Sequence, residues 1–193
     1  MELDIVHDIQ KTYRKVLHCM SRPGALENIL EESEKVDINI DFLRPTLVIM
    51  LMLLDAEVSF KVISGKEKEV TSFISQLTYA EAKPLEEADF IFVLSDAGES
   101  GVETAFRDSK IGNLINPHKS ATIVIEAPEL SNNSEFMLRG PGIEEASFAG
   151  FGLGEKWIAE REKKNIEYPL GIDAIFVDRQ ANVLCVPRTT EMN

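Results

Sequence analysis

The sequence predicts an α/β fold, a mixed sheet with helices on both faces in three layers, and three observations carry that expectation. Helix-length segments with apolar residues at steps of three and four alternate along the chain with strand-length segments. Two of the latter, Phe90-Ile91-Phe92-Val93-Leu94 and Thr122-Ile123-Val124-Ile125, are apolar almost throughout, as strands are when a sheet is covered on both sides. The 193 residues, 44% apolar and 27% charged, have the length and composition of a compact domain that needs no disulfide or metal staple. Residues 1–193 are therefore read as a single domain, and disorder, collagen-like repeats and coiled-coil arrays are poor fits.

In the first helix Val6, Ile9, Tyr13, Val16, Leu17 and Met20 share one face, expected to be buried. Asp8, Lys11, Arg14 and Lys15 fall on the opposite face and are expected to be solvated. Asp4 is placed to cap its start, and Pro23-Gly24 stops it. A short apolar stretch around residues 26–30 precedes an acidic loop. Arg44-Pro45-Thr46 then opens residues 47–54, which are apolar on all sides and so predict a buried helix. Pro45 suits its first turn, where the missing N–H costs little.

Alternation over residues 58–62 predicts a strand, and residues 66–77 carry Val70, Phe73, Ile74 and Leu77 at helical spacing. After the two continuous apolar strands, Phe136-Met137-Leu138 is a shorter strand leading into Arg139-Gly140-Pro141-Gly142-Ile143. Residues 155–167 are mostly charged, with Lys156/Glu160 and Glu160/Lys164 at the spacing that supports an exposed helix. Its large apolar anchors, Trp157 and Ile158, are expected to dock on the body. The last two strands, 172–177 and 183–186, flank Asp178-Arg179-Gln180-Ala181-Asn182 as a hairpin, so parallel and antiparallel pairs should coexist.

Thirty-three Asp and Glu against 20 Lys and Arg leave a net charge of -13, which repels phosphate backbones and anionic lipid. Nucleic-acid and membrane-surface roles are disfavoured; a small anionic ligand is not, because a local pair of arginines dominates its own site. Cys19 and Cys185 sit among apolar neighbours and are expected to be free, buried thiols. Glu2, Asp4 and Asp8 occupy the stretch where a secretory signal would need basic and apolar residues, and residues 47–54 fall far short of the roughly 20 that span a bilayer. A cytoplasmic protein is expected.

Among possible sites, Gly150-Phe151-Gly152-Leu153-Gly154 has neither dinucleotide nor P-loop spacing and reads as a flexible connection. His7, His18 and His118 lack zinc-motif spacing, so no metal is expected; His118, in a loop, is the best placed of the three for a ligand. Arg139-Gly140-Pro141-Gly142 combines a cation with a tight turn whose backbone N–H groups can face an anion. Arg188-Thr189-Thr190 sets a planar guanidinium beside two hydroxyls, a grip for a carboxylate or phosphate. Alternatively Arg188 locks the terminus to an internal carboxylate such as Asp173, which lies in an apolar run and needs a cationic partner.

Four segments resemble a known family: Tyr13-Arg14-Lys15-Val16-Leu17-His18-Cys19-Met20-Ser21-Arg22-Pro23-Gly24, Leu138-Arg139-Gly140-Pro141-Gly142-Ile143, Tyr168-Pro169-Leu170-Gly171-Ile172-Asp173 and Pro187-Arg188-Thr189-Thr190. In this order they look like PhnH, a subunit of the bacterial carbon-phosphorus lyase system, over nearly the whole chain. The resemblance implies a homodimer that joins PhnG, PhnI and PhnJ-like subunits and supports transfer of the ribose 5-triphosphate moiety of ATP to a phosphonate, with release of adenine. It implies a fold similar to the large domain of pyridoxal-phosphate-dependent transferases, but no cofactor. Lys119 is the nearest candidate for a Schiff base, and nothing around it supplies an acid for the pyridine nitrogen. Arg139, Gly140, Gly142, Arg188 and Thr189 are the expected ligand-binding residues; the resemblance identifies no catalytic residue. A scaffold that binds no small molecule is the alternative.

Overall fold

The computed structural model describes residues 3–193. In chain order its elements are α1 (His7–Ser21), β1 (Leu26–Asn28), α2 (Leu30–Ser33), α3 (Arg44–Leu53), β2 (Ser59–Ile63), α4 (Glu67–Thr78), β3 (Glu81–Ala82), β4 (Phe90–Val93), α5 (Gly98–Asp108), β5 (Thr122–Glu126), β6 (Ser131–Arg139), β7 (Ser147–Gly150), α6 (Lys156–Lys164), β8 (Asp173–Val177), β9 (Asn182–Val186) and β10 (Glu191–Met192). A seven-stranded mixed sheet runs in the order β1-β9-β8-β5-β4-β2-β3, and β10-β6-β7 form a second, antiparallel sheet. The chain divides into two compact units, one built from residues up to Leu53, Glu126–Gly152 and Ile175–Asn193, the other from Leu54–Ile125 and Leu153–Ala174.

In the first unit Asp4 caps α1 as its position predicts: Oδ1 accepts the N–H groups of Val6 and His7 at 2.9 Å, and Oδ2 lies 2.8 Å from the His7 ring. These partners, the His7 backbone N–H foremost, lower the pKa of the carboxyl to about 2. The buried face of α1 differs from the expected one. Asp8, Thr12, Val16 and Cys19 are buried, whereas Val6, Tyr13 and Leu17 are exposed. The physical reason is ionic. Asp8 meets Lys35 at 2.7 Å, and Lys15 meets both oxygens of the fully buried Glu32 at 2.8 and 2.9 Å, so Asp8 and Lys15 turn inward. Cys19 and Cys185 are buried thiols outside any disulfide, directed at the carbonyls of Val183 and Val16.

Residues Pro45 to Met50 of α3 are buried on every side, and the helix start is satisfied from a distant strand. Glu126, at the end of β5, accepts the N–H of Leu43 at 2.9 Å and the hydroxyl of Thr46 at 2.6 Å. Both bonds end on one buried carboxylate, so Glu126→Ala should lower unfolding free energy by about 2–3 kcal/mol in denaturant titration, and Glu126→Gln by less. The hairpin between β8 and β9 is present. Its turn is fixed by Asp178, which accepts N–H groups from Gln180, Asn182 and Leu130 and the amide of Asn182.

In the second unit β2, β4 and β5 pair in parallel, β4 and β5 being the two continuous apolar runs and β2 the alternating segment, and β3 adds a short parallel edge to β2. Helix α5 has a glycine-rich start but buries Val102, Ala105 and Phe106. Trp157 of α6 is buried and stacks on Phe106 with ring centroids 5.4 Å apart. On α6 the pairing differs from the i, i+4 expectation: Glu160 meets Lys163 at 2.7 Å, and Lys164 donates to the carbonyl of Ser109 at 2.9 Å. Arg161 is also buried there. Desolvation lowers its pKa to about 10, against the opposing field of Asp173. Among the described residues no helix is long and apolar enough to cross a membrane.

Candidate functional site

Within the first unit three turns that are far apart in sequence come together. Strand β6 ends at Arg139, which pairs in register with Glu191 of β10, so the turn 140–142 starts beside the stretch that follows β9. The approach is closest at the two glycines. A β-carbon on Gly140 would stand 2.7 Å from the carbonyl oxygen of Thr189, and one on Gly142 would stand 2.2 Å from that of Ser21. Both residues also have positive φ, +139° and +84°, so glycine is required twice over. Pro187–Thr190 is itself a turn, closed by the Thr190 N–H to the Pro187 carbonyl at 3.0 Å. On the other side Leu138 and Ser147, neighbours across β6 and β7, pack against Gly24.

Thus Ser21-Arg22-Pro23-Gly24, Arg139-Gly140-Pro141-Gly142 and Pro187-Arg188-Thr189-Thr190 form one junction. Each contributes one arginine and none contains a carboxylate, the nearest acid along these segments being Glu191, which follows Thr190 and pairs in register with Arg139, in a chain whose net charge is -13. Arg139 and Arg22 are exposed, and Arg188 and Thr189 are half-buried. The five residues expected to bind a ligand lie in this junction. Arg22 was missed as a site residue, although its segment was among those carrying the resemblance. Its guanidinium is 3.5 Å from the ring of His18, whose other nitrogen is 2.8 Å from Glu27. The pairing of β10 with β6, which sets Glu191 opposite Arg139, has no sequence signal, since two residues of strand carry no periodicity. Guanidinium groups beside hydroxyls and turn N–H groups are chemically suited to a phosphoryl, phosphonate or carboxylate group.

The other candidates lie in less favourable surroundings. Around the glycine run, the Phe151 N–H donates to Glu135 at 3.2 Å, and a β-carbon on Gly154 would meet the carboxylate of Glu99 at 2.7 Å. Carboxylates flank both ends, which disfavours a phosphate cradle. His118 is exposed in the 3-10 turn Pro117–Lys119. In the second unit the chain leaves β2 and β4 in opposite directions, a common ligand position in α/β sheets. There Asp96 accepts the Ser64 hydroxyl and the Gly65 N–H at 2.9 Å each, and Glu67, Glu69 and Glu99 occupy the first turns of the adjoining helices. These acids disfavour an anion at that point. Among the described residues no group of three or more His, Cys, Asp or Glu is arranged to hold a metal ion.

Comparison with known proteins gives a family-model match, described as bacterial phosphonate metabolism protein (PhnH), over residues 3–193. The chain belongs to the PhnH family. Two curated relatives agree with this. A protein of Stutzerimonas stutzeri named as a putative C-P lyase subunit, HtxG, is 35% identical over 103 residues, 53% of this chain and 50% of HtxG. The alpha-D-ribose 1-methylphosphonate 5-triphosphate synthase subunit PhnH of Rhizobium meliloti (strain 1021) is 25% identical over 190 residues, 98% of this chain and 92% of the relative. The chain thus spans about half the length of one relative and nearly all of the other. As a PhnH-family protein it belongs to phosphonate metabolism, and three of the four segments that resemble the family meet at the arginine junction.

Proposed function

We propose that this PhnH-family chain is a subunit of an α-D-ribose 1-methylphosphonate 5-triphosphate synthase and that its arginine junction holds an anionic group of the reactants. In that reaction a phosphonate oxygen forms a bond to the ribose C1 of ATP, the C1–N bond breaks, and adenine leaves with a proton. Both reactants are anions, so alignment requires cations held in fixed positions. The observation that carries the reading is the meeting of three turns with an arginine on each and no carboxylate in any of them.

On this reading the chain is a cytoplasmic homodimer that works with PhnG, PhnI and PhnJ-like subunits and turns over poorly alone. Residues 1–193 act as one functional domain, with helices on both faces of the sheet as in the large domain of pyridoxal-phosphate-dependent transferases. It uses neither pyridoxal phosphate nor a metal of its own. The protein as purified should accordingly show no absorbance band at the edge of the visible that is lost on reduction and restored by added pyridoxal phosphate.

Adenine release and the binding of ATP and methylphosphonate by the assembled complex test the site. Arg139 is exposed, so Arg139→Ala should change stability by no more than about 0.5 kcal/mol. It should weaken binding of one reactant about tenfold or more, the loss expected for a charge-assisted hydrogen bond. Arg188→Ala should do the same to binding. A marked fall in melting temperature with intact adenine release would instead make Arg188 a structural lock. Unchanged binding and activity in both variants would leave the chain a scaffold.

A further inference from the structure

Helix α1 turns an apolar strip to solvent. Val6, Tyr13 and Leu17 are 72%, 54% and 51% exposed, and Ile5, just before the helix, is 68% exposed. At about 100° per residue Val6, Tyr13 and Leu17 lie within one narrow strip along the helix. The opposite flank, where Asp8 and Lys15 lie, faces the body and is held by the pairs with Lys35 and Glu32. For a helix bordering only water this arrangement is reversed: ionic groups are desolvated while large apolar ones are wet. A covering partner removes the conflict.

The border of the strip indicates what kind of partner. Arg14 is exposed and lies three residues before Leu17, its neighbour on the helix surface. The exposed cations bordering the strip are Arg14 and, at the helix end, Arg22, since Lys11 and Lys15 are engaged by Glu31 and Glu32, in a chain of net charge -13. A two-fold contact between α1 and its own copy would set these cations against like cations. We propose that the exposed flank of α1 is a docking surface for an acidic, amphipathic element of another subunit of the phosphonate complex. This rests on the reading of the chain as a subunit. Because α1 runs directly into Ser21-Arg22-Pro23-Gly24, a partner seated on it lies next to the arginine junction.

The test is co-expression of the full chain with the other subunits of its complex, purification through a tag on one of those subunits, and measurement of affinity for the reconstituted assembly. Tyr13→Glu and Leu17→Glu should keep the melting temperature and the chain's own oligomeric state, yet weaken its affinity for the assembly at least about tenfold each. Tyr13→Phe should bind as the parent does. Arg14→Glu should also weaken binding, and the parent's affinity should fall with added salt. Glutamate variants that bind normally overturn the proposal. So do variants that change the oligomeric state of the isolated chain, which would make a second copy the occupant, and a neutral Arg14→Glu refutes the acidic partner. Failure of the parent chain itself to co-purify overturns the subunit reading and this proposal with it.

Discussion

Gly142→Ala is expected to destabilise the protein by about 2–5 kcal/mol, read as a shift of the denaturant midpoint with an unchanged slope. Two costs combine. A residue with a β-carbon at φ +84° pays about 1–2 kcal/mol for the left-handed backbone. The β-carbon would also stand 2.2 Å from the Ser21 carbonyl oxygen, and overpacking of this kind typically costs about 1–3 kcal/mol. The obstruction is backbone, so no rotamer change relieves it; the end of α1 or the 140–142 turn has to move. Binding at the junction should therefore fail together with stability. A loss under about 1 kcal/mol would show that the two turns are not held against each other in solution.

Lys15→Met should cost about 3–5 kcal/mol, because it leaves the fully buried carboxylate of Glu32 without the ammonium that lies 2.8 and 2.9 Å from its oxygens. Pairing the change with Glu32→Leu should recover most of the loss, since two apolar groups of similar volume replace a buried ion pair at little net cost. Recovery of none of it would mean that the pair is not the origin of the effect. The neighbouring carboxylates add an acid limit with a defined sign. Asp8 is lowered chiefly by its hydrogen bond with Lys35, and Asp4 is lowered to about 2 from 3.8. A carboxylate with a depressed folded-state pKa contributes fully above its unfolded value. Stability from Asp4 and Asp8 should thus be present above their unfolded values and be lost as pH falls below them, toward about 2 in the case of Asp4.

The central strands were legible because a short apolar run without alternation, bounded by turn residues, fits a strand covered on both faces better than any half-exposed element. Helix α3 was legible because it is apolar on all sides. The outer elements were less so. Of β6 only residues 136–138 stood out, since Ser131-Asn132-Asn133 carries no apolar pattern, and β1, β3, β7 and β10 are four residues long or shorter. Periodicity located α1 correctly but oriented it wrongly. Which side of an amphipathic helix faces the body depends on Lys35 and Glu32, about 20 residues away in sequence, and no local pattern reports that. The site was legible in part for the same reason. Arg139 and Arg188 stand out as cations at strand ends, whereas the approach of Ser21 to Gly142 is a tertiary fact that the glycine alone only permits.

The alternation of the two units along the chain bears on biosynthesis. The second unit contains nothing beyond Ala174, so all of its residues have been translated before Ile175 emerges, and a domain folds as its parts become available. The first unit begins with α1 and α3 but closes only with β9 and β10, so its opening helices wait through most of synthesis for their strands. During that interval the buried surface of α3 and the apolar strip of α1 are both uncovered. A chain truncated after residue 174 would therefore contain every residue of one unit while leaving α1 and α3 of the other without the strands that cover them.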